Sequence, residues 1–130
     1  MHHHARILIT GSRDFGSRAG DEALMRNALE YTQRVLLERG ARDITLVHGT
    51  ARGADRLAAG IGHALGMHIE EHPADWDTHG KRAGLLRNQE MVDAGADIVL
   101  AFPVGQSRGT RHCMRQAHSA GLTVWNVTEQ

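Results

Sequence analysis

Three short segments of the sequence combine glycine with hydroxyl-bearing or charged residues directly after an aliphatic run. They are Gly11–Asp14, His48–Asp55 and Pro103–Thr110. A strand that leads through such a turn into a helix leaves backbone N–H groups unpaired at the start of the helix, where the helix dipole also favours negative charge. These groups can bind phosphate without a charged side chain. The three junctions therefore predict one composite anion site.

The candidate ligand-binding residues of these junctions are glycines, small polar residues, arginines and carboxylates, namely Gly11, Ser12, Arg13, Asp14, His48, Gly49, Arg52, Gly53, Asp55, Pro103, Gly105, Gly109 and Thr110. The glycines allow close approach of the backbone to a ligand, and the arginines add positive charge. Two of the carboxylates also fit purely structural roles. Asp14 could make a local backbone bond in an ordinary turn. Asp55 fits the N-cap of a helix even if the site is real.

Two later segments carry further candidates. In Pro73–Asp77, Trp76 stands between carboxylates and could either stack on a base or plug its loop onto the core. In Gly80–Asn88, the polar residues Arg87 and Asn88 fall among core positions. Burial of an unpaired charge is costly, so a functional role is favoured over a solvated face for this pair.

The elements that position these residues alternate between strand and helix. The predicted strands are Arg6–Thr10, Asp43–His48, Met67–His72, Asp97–Phe102 and Leu122–Val127. The predicted helices are Asp21–Arg39, Asp55–Leu65, Gly80–Ala94 (with Leu85, Met91 and Val92 in the core) and Thr110–Ala120. Short connections between such elements indicate an α/β, Rossmann-like open parallel sheet with helices on both faces. Residues 5–130 are expected to form one domain.

Each polar cluster follows a strand, and none precedes one. In an open α/β sheet, ligands bind outside the carboxyl ends of the strands, where the winding direction reverses. We predict the strand order 3-2-1-4-5, with the alternating third strand at an edge. The loops at Gly11 and at Gly105–Thr110 then face each other across the crevice.

Composition restricts the class of protein. Lys+Arg equals Asp+Glu, so the formal net charge of zero gives no general attraction to nucleic acid or membranes, and neither is expected as a partner. No apolar stretch approaches the length of a membrane span. The lone cysteine, Cys113, excludes an internal disulfide and fits a reducing cytoplasm. Residues 1–4 fit a shortened tag, a disordered start or a native start, and helix faces beyond those needed by one domain suggest a homodimer.

Several common motifs are absent. The segment Gly11–Gly16 lacks the G-x-G-x-x-G dinucleotide fingerprint, and no glycine is followed by Lys and then Ser or Thr, as a P-loop requires. G-x-S-x-G, typical of an α/β-hydrolase, is missing as well. Neither H-E-x-x-H nor C-x-x-C occurs, so we expect no metal and no cofactor beyond a nucleotide-type ligand.

Five blocks in one order, Gly11–Asp14, His48–Asp55, Ala74–Trp76, Ala83–Met91 and Ala101–Thr110, resemble the YspA-type branch of the SLOG superfamily over nearly the whole chain. This resemblance implies a Rossmann-like domain that binds nucleotide-derived ligands in bacteria and their phages. It also implies distant similarity to phosphoribohydrolases, which release a base from a nucleotide. Those enzymes carry Pro-Gly-Gly-x-Gly-Thr-x-x-Glu, whereas here Val104 replaces a glycine and Cys113 stands at the position of the glutamate.

Three hypotheses follow. The first is binding of an ADP-ribose-like ligand or a nucleoside monophosphate, with Gly105, Gly109 and Thr110 on phosphate and Asp14 or Asp55 on ribose hydroxyls. The second is a nucleoside 5′-monophosphate phosphoribohydrolase or related N-glycosidase, in which Arg87 positions the substrate. Asp14, Asp55 or Asp75 would then replace the missing glutamate, because cleavage of the N-glycosidic bond builds positive charge on the ribose. The third and weakest is a DNA-associated or scaffold protein, against which the balanced charge speaks.

Overall fold

A parallel sheet of five strands forms the centre of the protein, which a computed structural model describes over residues 3–129. The strands are β1 (His3–Gly11), β2 (Ala41–His48), β3 (His68–Glu71), β4 (Ile98–Phe102) and β5 (Val124–Asn126). Of the segment predicted as a tag or disordered start, Met1 and His2 lie outside the described residues, and His3 and His4 begin β1.

The helices are α1 (Asp21–Glu38), α2 (Ala54–Ala64), α3 (Trp76–His79), α4 (Ala83–Asp93) and α5 (Arg108–Ser119), with a 3-10 turn at Gly80–Arg82. Side chains alternate between the two faces of β1, as the strand period of two requires. Ile7 and Ile9 pack with the apolar residues of α1 and α2, whereas Leu8 packs with those of α4 and α5. The sheet is therefore covered on both faces, as predicted.

The strand order β3-β2-β1-β4-β5 is the one predicted, with β3 at an edge. The chain winds from β1 outwards through β2 to β3, and then returns to the other side of β1 to form β4 and β5. The winding direction therefore reverses between β1 and β4. There Gly11 is paired with Phe102, and Ser12 N donates to Phe102 O at 3.0 Å. The corners after β1 and β4 start side by side.

An aromatic pair holds these two corners together. Phe15, in the loop after β1, is almost completely buried against Phe102 at the end of β4, with ring centroids 5.1 Å apart. Such a pair contributes about 0.5–1.5 kcal/mol beyond the burial of its area. The loop that carries Ser12, Arg13 and Asp14 is thus anchored to the core on its far side.

The structure corrects the predicted third helix. Instead of one helix over Gly80–Ala94, a short helix capped by Asp75 precedes the 3-10 turn, and α4 begins only at Ala83. Gly80 adopts φ +56°, a left-handed conformation that ends α3. The predicted core contact of Leu85 is also wrong, because this residue is 41% exposed, while Met91 and Val92 are buried as expected.

Within residues 3–129, no helix has both the length and the apolar character that crossing a bilayer requires.

Candidate functional site

A cleft of about 580 Å³ lies where the corners after β1 and β4 meet, and we call it the main cleft. Both corners line it, together with the N-terminal part of α4. The predicted site residues that line it are Gly11, Ser12, Arg13, Asp14, Asp55, Trp76, Arg87, Asn88, Gly105, Gly109 and Thr110. Residues from five separate parts of the sequence are therefore brought together in one cavity.

The first turn of α5 opens onto this cleft. Ser107, the residue before α5, has a left-handed backbone (φ 42°) and makes no side-chain bond to the N–H groups of the first turn. Its Oγ donates instead to Thr110 Oγ1 at 2.8 Å. The first N–H groups of a helix have no intrahelical acceptor, so this end of α5 offers donors and positive dipole charge to an anion.

Arg111, which the sequence analysis did not select, shapes the loop before α5. Its Nη2 donates to Gly105 O at 2.7 Å and its Nε to Gln106 O at 2.9 Å, while both terminal nitrogens bond Glu129. Gly105 itself has φ +65°. The glycine loop is therefore held by a side chain from the helix that it precedes, and its shape does not depend on a ligand.

Arg87, on α4, reaches across the cleft floor towards the end of β2. Its Nη1 donates to the backbone carbonyl of Gly49 and, at 3.4 Å, to that of His72, and its Nε donates to Asn88 Oδ1 at 2.8 Å. These acceptors are neutral, and no carboxylate forms an ion pair with Arg87 among residues 3–129. Burial lowers the pKa of Arg87, but an arginine remains charged at neutral pH. The cleft wall thus contains a positioned positive charge whose hydrogen-bond partners are neutral, and the nearby carboxylate of Asp55 acts on it electrostatically without forming an ion pair.

Asp55 is 5% exposed and lies at the bottom of the main cleft. Its Oδ2 accepts hydrogen bonds from Gly49 N at 3.0 Å and Ala51 N at 3.3 Å. Burial raises the pKa of Asp55 to about 6, against the opposing effect of these bonds and of Arg87. A carboxyl group with such a pKa can exchange a proton near neutral pH. The structural alternative for Asp55 is wrong in detail, because Gly53 is the N-cap of α2 and Asp55 lies in its first turn.

Three further cations stand around the main cleft. Arg13, Lys81 and Arg108 line it and have no ion-pair partner in the described part of the chain. Neither Lys81 nor Arg108 was among the residues selected from the sequence. Lys81 follows Gly80 and Arg108 precedes Gly109, and a cation next to a glycine near a helix start is the sequence feature that could have identified them. Together with Arg87 they face the carboxylates Asp14 and Asp55, so positive charge predominates in the lining.

A second cavity of about 380 Å³, here called the side cleft, adjoins the main cleft. The two share Arg13, Ala51, Trp76 and Arg87 as lining residues. Gly49 and Arg52, both predicted as ligand-binding residues, line the side cleft and not the main one. Trp76 is 52% exposed and lines both, so its ring does not plug the loop into the core.

Two predicted site residues, His48 and Gly53, have structural roles in the loop after β2. His48 is buried, and its Nδ1 accepts a hydrogen bond from Thr50 N at 3.0 Å. Burial lowers the pKa of His48, so its ring is neutral at neutral pH. A Cβ on Gly53 would lie 2.5 Å from Ser12 O, so glycine is required there by the backbone of the first corner. Neither residue lines a cleft.

The remaining two predicted residues also lie outside both cavities. Pro103 is buried at the end of β4, and its carbonyl accepts a hydrogen bond from Thr128 Oγ1 at 2.6 Å. Asp75 is exposed and caps α3 by accepting from Thr78 N at 3.1 Å. The hydroxyl of Thr78 and, to a smaller extent, its backbone N–H lower the pKa of Asp75. Of the three aspartates considered in place of the glutamate, Asp75 is therefore the one that the fold keeps away from the main cleft.

Cys113 faces the sheet from α5 and packs with Leu8 and Val99 in the core. Its side chain is completely buried, and burial raises the pKa of its thiol. The position that carries a glutamate in the phosphoribohydrolase motif is thus filled by a neutral core residue. Over residues 3–129, no three His, Cys, Asp or Glu side chains are grouped so that they could hold a metal ion.

The chain matches one family model and is similar to a phage protein. Residues 5–79 match the model of the YspA, cpYpsA-related SLOG family. The chain is similar to the Gene 61 protein of Mycobacterium phage D29, with 48% identity over 130 residues that cover 96% of this chain and 98% of the relative. No solved structure matches the chain significantly.

Proposed function

Because the chain belongs to the YspA, cpYpsA-related SLOG family, we propose that it binds a nucleotide or a nucleotide-derived ligand in the main cleft. One observation carries this proposal. Four cations and the uncapped first turn of α5 face a single cavity whose only lining carboxylates, within residues 3–129, are Asp14 and Asp55. Such a concentration of donors and positive charge favours a phosphorylated ligand.

The phosphate lies at the first turn of α5. Backbone N–H groups of Gly109 and Thr110 face it, and Arg108 and Lys81 neutralise its charge. The ribose lies towards the corner after β1, where the exposed carboxylate of Asp14 can accept from its hydroxyls. The base lies against Trp76, whose half-exposed ring offers a stacking surface at the cleft mouth. This arrangement takes an AMP-sized ligand or the first half of a larger one.

Thermal unfolding in the presence of AMP, ADP-ribose, NAD and cyclic nucleotides tests the proposal. A ligand at about a hundred times its dissociation constant stabilises the folded state by about 2.7 kcal/mol. No shift with any of these ligands would count against nucleotide binding.

Two arginines on one helix provide a matched pair of variants. Arg108→Ala removes a cation from the main cleft and should weaken nucleotide binding by about tenfold. Arg115→Ala removes an exposed cation two turns further along α5, outside the main cleft, and should leave the affinity unchanged. Equal losses in both variants would indicate a general effect of charge and not a phosphate site.

The position of Asp55 in the main cleft supports a second candidate function, hydrolysis of a nucleoside 5′-monophosphate. In this reaction water adds to C1′ of the ribose, the N-glycosidic bond breaks, and the base leaves with a proton. A carboxylate near C1′ stabilises the positive charge that develops on the ribose. Asp55 lines the main cleft beside Arg87, and it is the carboxyl group there whose pKa is raised to about 6.

Incubation with nucleoside monophosphates and detection of free base decides this second candidate. Asp55→Asn should abolish base release while nucleotide binding persists, and Arg87→Ala should weaken both. Base release that survives Asp55→Asn would remove Asp55 from the reaction. Absence of base release from the unmodified protein would leave binding alone as the function.

A further inference from the structure

The side cleft differs from the main cleft in its charge. Its lining contains the arginines Arg13, Arg52 and Arg87 and no carboxylate, whereas the main cleft also contains Asp14 and Asp55. Arg13 and Arg52 are exposed and have no ion-pair partner among residues 3–129. The lining of the side cleft thus carries three arginines and no carboxylate, and Asp55, which acts on Arg87 electrostatically, lines the main cleft and not this one.

In the loop after β2, three backbone N–H groups that could bind an anion in the side cleft already donate hydrogen bonds within the protein. The N–H groups of Gly49 and Ala51 donate to Asp55, and that of Thr50 donates to His48. These backbone donors are therefore occupied within the protein. An anion in the side cleft would be held by guanidinium groups, which present paired N–H donors that match the oxygens of a phosphate.

Arg13 and Arg87 stand on the boundary between the two clefts and act on each other electrostatically. Burial is the main cause that lowers the pKa of Arg87, Asp55 opposes it, and the charge of Arg13 adds a smaller lowering effect, so the two cations repel each other. Like charges at such a boundary are stabilised when an anion binds beside them. Trp76 lies on the same boundary and lines both spaces. Because the two clefts adjoin at these shared lining residues, one ligand can extend from the main cleft into the side cleft.

We propose that the side cleft is a second anion subsite, and that the ligand is a nucleotide with two separated phosphate groups, such as a nucleoside bisphosphate or a dinucleotide. This inference rests on the proposed nucleotide binding in the main cleft and specifies its ligand. One phosphate lies at the first turn of α5, and the other lies between Arg13 and Arg52. The nucleoside part spans the boundary at Trp76.

Calorimetric titration with four probes tests the inference. AMP carries one phosphate, and ADP carries a second phosphate adjacent to the first, so it adds charge without reaching the side cleft. Adenosine 3′,5′-bisphosphate and the dinucleotide pApA carry separated phosphates. We expect at least one of these last two to bind about tenfold or more tightly than AMP and ADP.

Arg52 lines the side cleft but not the main cleft, so a variant of this residue tests the side cleft by itself. Arg52→Ala should remove most of the preference for separated phosphates and leave the affinities for AMP and ADP unchanged. Arg42→Ala, which removes an exposed arginine from β2, is the control and should change no affinity.

The outcomes separate the two proposals. Equal affinities for all four probes, or an Arg52→Ala variant that loses AMP and the bisphosphate equally, would overturn the second subsite while nucleotide binding stands. Failure of every probe to bind would overturn the proposed function and the subsite with it.

Discussion

The guanidinium of Arg87 donates a hydrogen bond to the backbone carbonyl of Gly49, 38 positions earlier in the sequence. One contact thereby links α4 to the end of β2 and places a positive charge on the wall shared by both clefts. The absence of a side chain at Gly49 makes this possible, since a Cβ there would lie 2.6 Å from Arg87 Cζ.

Gly49→Ala should displace the Arg87 side chain and weaken nucleotide binding by about tenfold. The forced rearrangement should also lower the free energy of unfolding by about 1–3 kcal/mol. Calorimetry and urea denaturation measure the two effects. The control is Gly60→Ala in α2, where a Cβ meets nothing within 4 Å. This control should stabilise the helix by about 0.5–1 kcal/mol and leave binding intact. Unchanged binding in Gly49→Ala would contradict the role given to this contact.

The free energy of unfolding should fall as pH rises through about 6, because the buried carboxyl group of Asp55 loses its proton there. Its pKa is raised by burial from 3.8 to about 6 in the folded state, so the folded protein binds this proton more tightly than the unfolded chain does. The resulting stabilisation is present below the unfolded pKa and is lost as pH rises through the folded one, by at most about 3 kcal/mol.

Asp55→Asn lacks this titration. The difference in unfolding free energy between the two proteins, measured by urea denaturation from about pH 4 to about pH 7, isolates it from other carboxylates. A difference that does not vary over this range would show that the carboxyl group of Asp55 titrates normally.

His72 should stabilise the folded protein up to a higher pH than Asp55 does. Burial lowers its pKa, but hydrogen bonds to Glu70 at 2.7 Å and Glu90 at 2.6 Å outweigh that effect, and the net pKa is raised. The stabilisation is therefore complete below the ordinary pKa of 6.5 and is lost as pH rises through the raised value. Since Glu70 is partly exposed and Glu90 is exposed, solvent screens both interactions, and we expect a loss of only about 0.5–1 kcal/mol.

His72→Gln should remove this loss of stability above neutral pH. His68→Gln, which changes an exposed histidine at the start of β3, the strand that ends just before His72, is the matched control and should behave as the unmodified protein does. An NMR titration of the His72 ring gives the pKa directly, and a value below the ordinary range for histidine would refute the prediction.

Cys113 should react slowly with iodoacetamide in the native state and rapidly in urea. Complete burial excludes the reagent, and the raised pKa of the thiol reduces the reactive thiolate. Cys113→Ala should cost about 1 kcal/mol through the small cavity that it leaves. Rapid native labelling would show that the start of α5 opens towards solvent.

The family and the topology were predictable from local features. Aliphatic runs that end at Gly11, His48 and Phe102 identified three of the strands, and many of the polar residues after them line the main cleft at the carboxyl edge of the sheet. The order of the five sequence blocks also identified the family, as the match over residues 5–79 confirms. Each of these inferences depends on neighbouring residues in the chain, which is the information that a sequence displays directly.

The features that were missed depend on contacts between distant segments. Gly53 is needed because the backbone of Ser12 passes beside it, and Asp55 is turned away from the N-cap position to bind the amides of Gly49 and Ala51. Leu85 is exposed because α4 starts only after the turn at Gly80. Lys81 and Arg108 look like ordinary surface cations until the fold places them at one cavity.

Two backbone carbonyls accept hydrogen bonds from the guanidinium of Arg87 at positions where a free arginine would be hydrogen-bonded to water. Much of the reorganisation that a free arginine would undergo upon meeting a phosphate is thus completed while the chain folds. If an anion binds in the main cleft as proposed, it meets a guanidinium whose orientation the fold has already fixed.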